Sequence, residues 1–265
     1  MKASAALTLP ADVRLMNITA TVLFAACGVL LLAALAWWLV RHPAFALGRI
    51  TVQGDVAHNS PATLRANVAP RMAGNFFTVD LVAVRQAFEA APWVRQAVVR
   101  REFPNRLRVL LQEHRPVALW GTEGESALVN SHGEVFEADP GDIEPEGLPR
   151  LAGPDGQAAQ VLAMYRALAP LFQPLGLELV QLVLTSRGSW QATMDTGASV
   201  ELGRGPVQEV AARTRRFAQT LAQAASKLGR RPEALVSADL RHGDGYAIRL
   251  RGVTTATGAE AQKKK

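Results

Sequence analysis

The chain has 265 residues, 49% hydrophobic and 20% charged, enough apolar material for one or two ordinary cores in addition to a membrane segment, and therefore not a disordered chain. Its 21 glycines and 15 prolines follow no fixed period, which removes the main support for collagen-like and solenoid architectures. The formal charge of +6 is dominated by arginine and would suit nucleic acid or anionic lipid, while a single cysteine, Cys27, excludes an intrachain disulfide.

From Leu15 to Val40 there is no charged residue, and residues 18–40 would span about 34 Å as a helix against a hydrocarbon layer of about 30 Å. One transmembrane helix is expected there, closed by Trp37 and Trp38 at headgroup level before Arg41 and His42. A cleaved signal peptide is the alternative, with Ala34-Leu35-Ala36 as its small-x-small site. The length of the apolar run and its continuation past that site favour an anchor that is kept. Lys2 and Arg14 on one flank face Arg41 and Arg49 on the other, so charge alone leaves the orientation open.

Leu47 to Val52 reads as a strand, and Ser60-Pro61 opens a short helix to about Val68. Gly74-Asn75 breaks the chain. Asp80 then caps a second helix on which Leu81, Val84 and Phe88 recur at helical spacing. Val94 to Glu102 and Arg106 to Glu113 flank Pro104-Asn105 as a hairpin, with Leu107, Val109 and Leu111 alternating against polar residues. The order strand, helix, helix, strand, strand predicts a small α+β domain with both helices on one face of its sheet.

A second domain is expected after Arg115-Pro116, starting with a hairpin of Ala127 to Asn130 and Glu134 to Phe136 and a loop rich in proline. Ala158 to Phe172 is helical in pattern. Leu177 to Thr185, Trp190 to Asp195 and Val200 to Leu202 are strand-like, and Val207 to Leu228 is a long helix with Val207, Val210, Phe217, Leu221 and Leu228 on one stripe. The last ordered elements are Leu235 to Leu240 and Tyr246 to Leu250, joined by His242-Gly243-Asp244-Gly245. The polar residues 254–265 are expected to be disordered.

Signals for catalysis are absent from the sequence. There is no GxSxG elbow, Ser-x-x-Lys pair or Walker lysine, and Gly203-Arg204-Gly205 reads as a turn rather than a dinucleotide loop. Glu123 with Glu125 and Asp142 with Glu144 lie in polar loops, where carboxylates keep ordinary pKa values. The histidines at 42, 58, 114, 132 and 242 show no metal-ligand spacing, so neither metal nor cofactor is expected. Arg95, Arg100, Arg101, Arg106, Arg108 and Arg115 form a solvated face more simply than a nucleic-acid patch, and Trp93, Trp120 and Trp190 are read as core.

Leu47-Gly48-Arg49-Ile50-Thr51-Val52-Gln53-Gly54, Phe76-Phe77-Thr78-Val79-Asp80, the segment Ala91 to Arg101 and Phe103-Pro104-Asn105 are similar to the POTRA module of the FtsQ/DivIB family of bacterial division proteins. Leu148 to Pro154, Arg187-Gly188-Ser189-Trp190, Glu201-Leu202-Gly203-Arg204-Gly205 and Val236-Ser237-Ala238-Asp239-Leu240-Arg241 are similar to its β-domain. POTRA modules also occur in outer-membrane assembly and secretion proteins, the alternative reading, but those carry a C-terminal barrel, and the remainder of this chain holds two long helices.

The resemblance implies a cytoplasmic tail (1–17), a transmembrane helix (18–40), a POTRA domain (45–115), a mixed α/β domain (116–253) with an antiparallel sheet ending in an edge strand, and the tail 254–265. It implies a non-enzymatic, single-pass type II inner-membrane protein at the division septum, its C-terminal region periplasmic, that holds the coiled-coil proteins FtsB and FtsL, with FtsK engaging the POTRA domain. Nucleic acid and small-molecule substrates are not expected. A partner strand would pair with the last ordered strand by β-augmentation. The matching positions are Ser237, Arg241, His242, Gly243, Asp244, Gly245, Tyr246, Ala247, Ile248, Arg249 and Leu250, with Arg187 in a second contact. Tyr246, Ile248 and Leu250 would share one face of that strand, Ala247 and Arg249 the other. His242 stands where the family usually has an aromatic residue, and Tyr246 where a small one is common.

Overall fold

The computed structural model describes residues 11–60, 64, 66, 68–71, 74–122, 124, 127–138, 147–242 and 245–253, which form two compact units, 1–113 and 114–265. The expected tail 254–265 and most of the expected cytoplasmic tail lie outside the described residues.

The first unit opens with α1 (Ala11–Arg41), which begins seven residues before Ile18, with Asp12 in its first turn where a carboxylate suits the helix dipole. Its segment Asp12–Trp38 contains an 18-residue window with a mean hydropathy of 2.5, is unburied there, and is long and apolar enough to cross a membrane. Its two threonine hydroxyls are satisfied locally. Thr19 donates to the Leu15 carbonyl (3.0 Å) and Thr21 to the Asn17 carbonyl (2.7 Å), as a lipid surround requires. At the far end the Arg41 guanidinium lies 4.2 Å above the Trp37 ring, and Trp38 meets His42 edge-on at 4.9 Å.

The rest of this unit is β1 (Arg49–Gly54), α2 (Leu81–Glu89), β2 (Val94–Glu102) and β3 (Arg106–Glu113). Between β1 and α2, Leu64, Ala66 and Val68 are helical, with Leu64 and Val68 buried one turn apart. The Asp80 carboxylate caps α2 by accepting from the Val82 and Ala83 amides at 2.8 and 3.2 Å. In the sheet order β1-β3-β2, β2 and β3 form the expected antiparallel hairpin, whereas the helical connection brings β1 back parallel to β3. Leu107, Val109 and Leu111 point inward onto Val84, Ala87 and Phe88. Trp93 is buried, as expected. Arg101 is more than a solvated charge: its guanidinium donates to the carbonyls of Phe76 (2.7 Å) and Val79 (2.8 Å) and pins the loop before α2.

The second unit contains β4 (Pro116–Trp120), β5 (Ala127–Asn130), β6 (Val135–Glu137), β7 (Arg150–Ala152), α3 (Ala158–Phe172), β8 (Leu179–Leu184), β9 (Ser189–Met194), β10 (Ser199–Arg204), α4 (Val207–Lys227), β11 (Leu235–Asp239) and β12 (Ala247–Leu250). They form one nine-stranded sheet in the order β12-β11-β10-β9-β8-β7-β4-β5-β6. The sheet is mixed rather than antiparallel throughout: β4 with β7, β7 with β8 and β10 with β11 are parallel. Two of these pairs arise because α3 connects β7 to β8 and α4 connects β10 to β11, and a helical crossover returns the chain in its original direction.

Val161, Met164, Leu168 and Phe172 of α3, and Val210, Phe217, Leu221 and Ala225 of α4, share one apolar core with Trp190, Leu202, Leu235 and Leu250 of the sheet. The stripe of α4 differs from expectation at its end. Leu228 has left helical geometry as the C-cap and is exposed, and Ala225 takes the buried place. Thr214, also on this stripe, is buried with its hydroxyl donating to the Val210 carbonyl at 2.8 Å. The register aligns polar residues across the other face of the sheet, Gln191-Glu201-Asp239 in one row and Thr193-Ser199-Ser237-Arg249 in the next.

Candidate functional site

β12 is the end strand of the nine-stranded sheet, paired with β11 through Asp239↔Ala247, Ala238↔Ile248 and Ser237↔Arg249. The direction of its backbone groups follows from two neighbouring bonds. Leu240 donates its N–H to the Glu201 carbonyl at 2.8 Å, so the alternation of a strand turns Ala238 toward β10 and leaves Ser237 and Asp239 facing β12. Arg251 donates to the Ala234 carbonyl at 2.8 Å, so Arg249 and Ala247 also point toward β11. Tyr246, Ile248 and Leu250 therefore direct their amides outward. The Leu250 carbonyl is taken by the Val253 amide (3.3 Å), and among the described residues no strand pairs with the outer side of β12. Ile248 is the centre of this unpaired edge.

The side chains hold the strand while its edge stays open. Tyr246 meets Phe217 edge-on at 5.0 Å and its hydroxyl donates to Thr220 Oγ1 at 2.7 Å, while Leu250 is buried and Ile248 half-buried against the same core. Ala247 and Arg249 are exposed. This alternation is the one expected from the sequence.

Beside the start of this edge lies an open cleft of about 780 Å³ into which Arg187, Arg204, Arg213 and Arg241 project, with Glu201 as the one lining carboxylate among the described residues. Arg187 stands on the β8–β9 turn, exposed, and among the described residues it has no hydrogen-bond or ion-pair partner. Gly203 makes room for the other arginines. Its φ is +78°, next to a bulge in β10, and a Cβ there would come within 3.2 Å of Arg241 Cγ and 3.4 Å of Arg213 Nη1. Arg213 donates through Nη2 to the Arg204 carbonyl at 2.7 Å, and its buried Nε has no hydrogen-bond partner among the described residues.

Arg241 is not a free cation. Nε donates to Asp239 Oδ1 at 2.9 Å and Nη2 to Oδ2 at 2.6 Å, while the Arg241 amide adds a third bond at 3.0 Å. The Arg241 side chain holds the Asp239 carboxyl down at about 2, against a smaller opposing effect of burial. The carboxylate is thus charged throughout the neutral range, and a guanidinium with five N–H donors keeps some for a further acceptor.

Of the positions singled out in the sequence, Ser237 sits half-buried on the open face of β11 opposite Arg249. His242 and Gly245 are exposed and, with Tyr246, line a smaller cleft of about 330 Å³ against Arg216 of α4. Gly243 and Asp244 lie outside the described residues. Arg187 and Arg241, 54 positions apart, share the larger cleft, whereas β12 lies next to it rather than in it. Arg204 and Arg213 were not anticipated. Their signal was local: Arg204 follows a glycine, and Arg213 opens the basic run Arg213-Thr214-Arg215-Arg216 on a helix.

Residues 45–114 match the FtsQ-type POTRA domain, and residues 118–241 match the C-terminal domain of cell division protein FtsQ/DivIB. The chain is also 40% identical over 253 residues to the cell division protein FtsQ of Burkholderia pseudomallei, covering 96% of this chain and 99% of that one. It belongs to the FtsQ/DivIB family. FtsQ proteins of Thiomonas arsenitoxydans (39% identity, 92% of this chain and 90% of the relative) and Bordetella pertussis (37%, 90% and 92%) are similar over nearly the same extent. The FtsQ/DivIB C-terminal match ends at Arg241, so the cleft arginines fall within it and β12 lies beyond it.

Proposed function

We propose that this FtsQ-family chain is a non-catalytic divisome scaffold, anchored by α1 as a type II inner-membrane protein, with its body in the periplasm at the septum, which recruits and holds FtsB and FtsL. The POTRA unit is assigned to contact with FtsK. The observation that carries the reading is the outward, unpaired backbone of Ile248 on an edge strand whose side chains are already committed to the core. A strand from a partner can add there through main-chain hydrogen bonds, and Arg187 and Arg241 stand ready for acidic side chains beside it.

Two adjacent positions on β12 respond differently to proline. Ile248→Pro removes an outward N–H, whereas Ala247→Pro removes one bonded to β11 and disturbs the sheet itself. In titrations of the full chain in nanodiscs with the periplasmic segments of FtsB and FtsL, Ile248→Pro is expected to weaken binding at least tenfold, with hydrogen-exchange protection of α4 and β10 unchanged. Undiminished affinity in that folded variant would sink the edge-strand mechanism. Arg187→Glu is expected to cost about 10- to 100-fold through one charge-assisted contact, with a shallower salt dependence than wild type.

A further inference from the structure

Four phenylalanines of the first unit collect at one end of its sheet, with Phe76 buried and Phe45 half-buried among them. Phe45 is 4.9 Å from Phe77, Phe77 is 5.2 Å from Phe76, and Phe76 is 6.2 Å from Phe103. Backbone bonds fix this grouping. The Phe76 amide donates to the Phe45 carbonyl (2.9 Å), the Gly48 amide donates to the Asn105 carbonyl (3.0 Å), and Arg101 clamps the loop that carries Phe76 and Phe77. Yet Phe103 is 74% exposed and Phe77 46%. Single exposed aromatics are ordinary, but a connected row held in place by the backbone is an apolar surface awaiting cover.

The position of the row indicates what covers it. This is the end at which β1 starts, and with it β3, since Arg49 pairs with Arg106. The chain reaches it directly from α1: Phe45 is four residues past Arg41, a reach of at most about 14 Å. Trp37 and Trp38, the aromatic pair expected at headgroup level, close the apolar segment of α1. Arg49 and Arg106 pair at this same end and are exposed, as is Arg41 four residues before Phe45, so the end is basic as well as apolar, the pairing that suits anionic lipid.

We propose that this end of the POTRA domain seats on the bilayer surface beside α1, with Phe77 and Phe103 entering the headgroup region and Arg49 and Arg106 meeting lipid phosphates. The inference rests on α1 crossing the membrane and does not depend on the partner-binding reading of the second unit. It makes the first unit an interfacial anchor rather than a body swinging on a tether.

Nitroxide labels in the full chain, with Cys27→Ser as background, test it in vesicles of phosphatidylethanolamine and phosphatidylglycerol. Single labels at Phe103→Cys, at Leu31→Cys within α1 and at Gln96→Cys toward the opposite end of the sheet are compared for collision with oxygen and with a water-soluble nickel chelate. Leu31 is expected at hydrocarbon depth. Position 103 should show several-fold lower nickel access than position 96, rising toward it when Arg49 and Arg106 are both changed to glutamate or when phosphatidylglycerol is omitted. Equal nickel access at 103 and 96 with Leu31 in hydrocarbon overturns the proposal while leaving the membrane anchor intact. Leu31 in water overturns both. Spin–spin broadening at 103 that disappears on dilution with unlabelled chain would assign the surface to a second copy instead and overturn the lipid reading.

Discussion

Phe217→Ala is expected to lower the stability of the second unit by about 3–5 kcal/mol, the range for removing a fully buried aromatic side chain. Phe217 is completely buried on the stripe of α4 and presents its ring to Tyr246, so the loss has two parts. A cavity opens between α4 and the sheet, and the side-chain support of the residue leading into β12 disappears. The edge strand should therefore loosen before the rest of the sheet. Peptide-resolved hydrogen exchange on the full chain is expected to show lost protection in α4, β11 and β12, greatest in β12, and unchanged protection in the first unit. Phe217→Leu, which keeps most of the volume, should cost less than half as much. Unaltered exchange at β12 in the alanine variant would mean that Tyr246 does not depend on Phe217 for its place.

Glu113→Ala is expected to destabilise the first unit by about 3 kcal/mol, because it removes an ionised acceptor that several donors share and leaves those donors unpaired. The carboxylate terminates β3, is only 5% exposed, and accepts from the His58 amide (3.1 Å), the Asn59 amide (3.2 Å) and the Asn59 side chain (2.7 Å), with His58 Nδ1 at 3.1 Å. Burial pushes its pKa up, but the hydrogen bonds from Asn59 and His58 together outweigh it and hold the carboxyl below its ordinary value of 4.5. The folded pKa is thus the depressed one. Its stabilisation is fully present above the unfolded value and disappears as pH falls through the folded value, so the first unit should weaken in acid below about pH 4.5. Glu113→Gln should flatten that acid dependence while keeping part of the hydrogen bonding. The check is hydrogen exchange of β2 and β3 between pH 3 and 7, corrected for intrinsic rates. A wild-type profile no steeper than that of the glutamine variant would contradict the assignment.

What could be read in the sequence was whatever depends on near neighbours. The alternation of Leu107, Val109 and Leu111 defines β3, and Asp80 two residues before Val82 caps α2. The same local logic located β12 and the opposite faces of Ile248 and Arg249. Strand direction was not legible, since β10 alternates inward and outward identically beside a parallel or an antiparallel neighbour, and only α4 as a crossover decides. The short strands β4 and β7 also escaped: five and three residues carry too little periodicity, and neither is joined to a neighbouring run by as tight a turn as the one that revealed the similarly short β5 and β6. The Glu113 cluster joins residues 54 and 55 positions apart, and the arginine cleft brings together a turn, a strand end, a helix and the second residue after β11. Neither has a signature in one stretch of sequence. Arg241 was legible as a cation but not as one already paired with Asp239.

The sheet order also sets a schedule. β12, though at one end of the ladder, follows all the other strands in chain order, and its neighbour β11 is reached only after the long crossover of α4. During synthesis the eight other strands leave the ribosome first, and until residues 247–250 follow, the exposed border of the sheet is β11, with Ser237 and Asp239 turned outward. A chain interrupted in that interval displays a different border from the finished molecule, two polar residues in place of the Ile248 amide. The outward Ile248 amide is thus the last of the sheet's edge groups to be made, after the eight other strands.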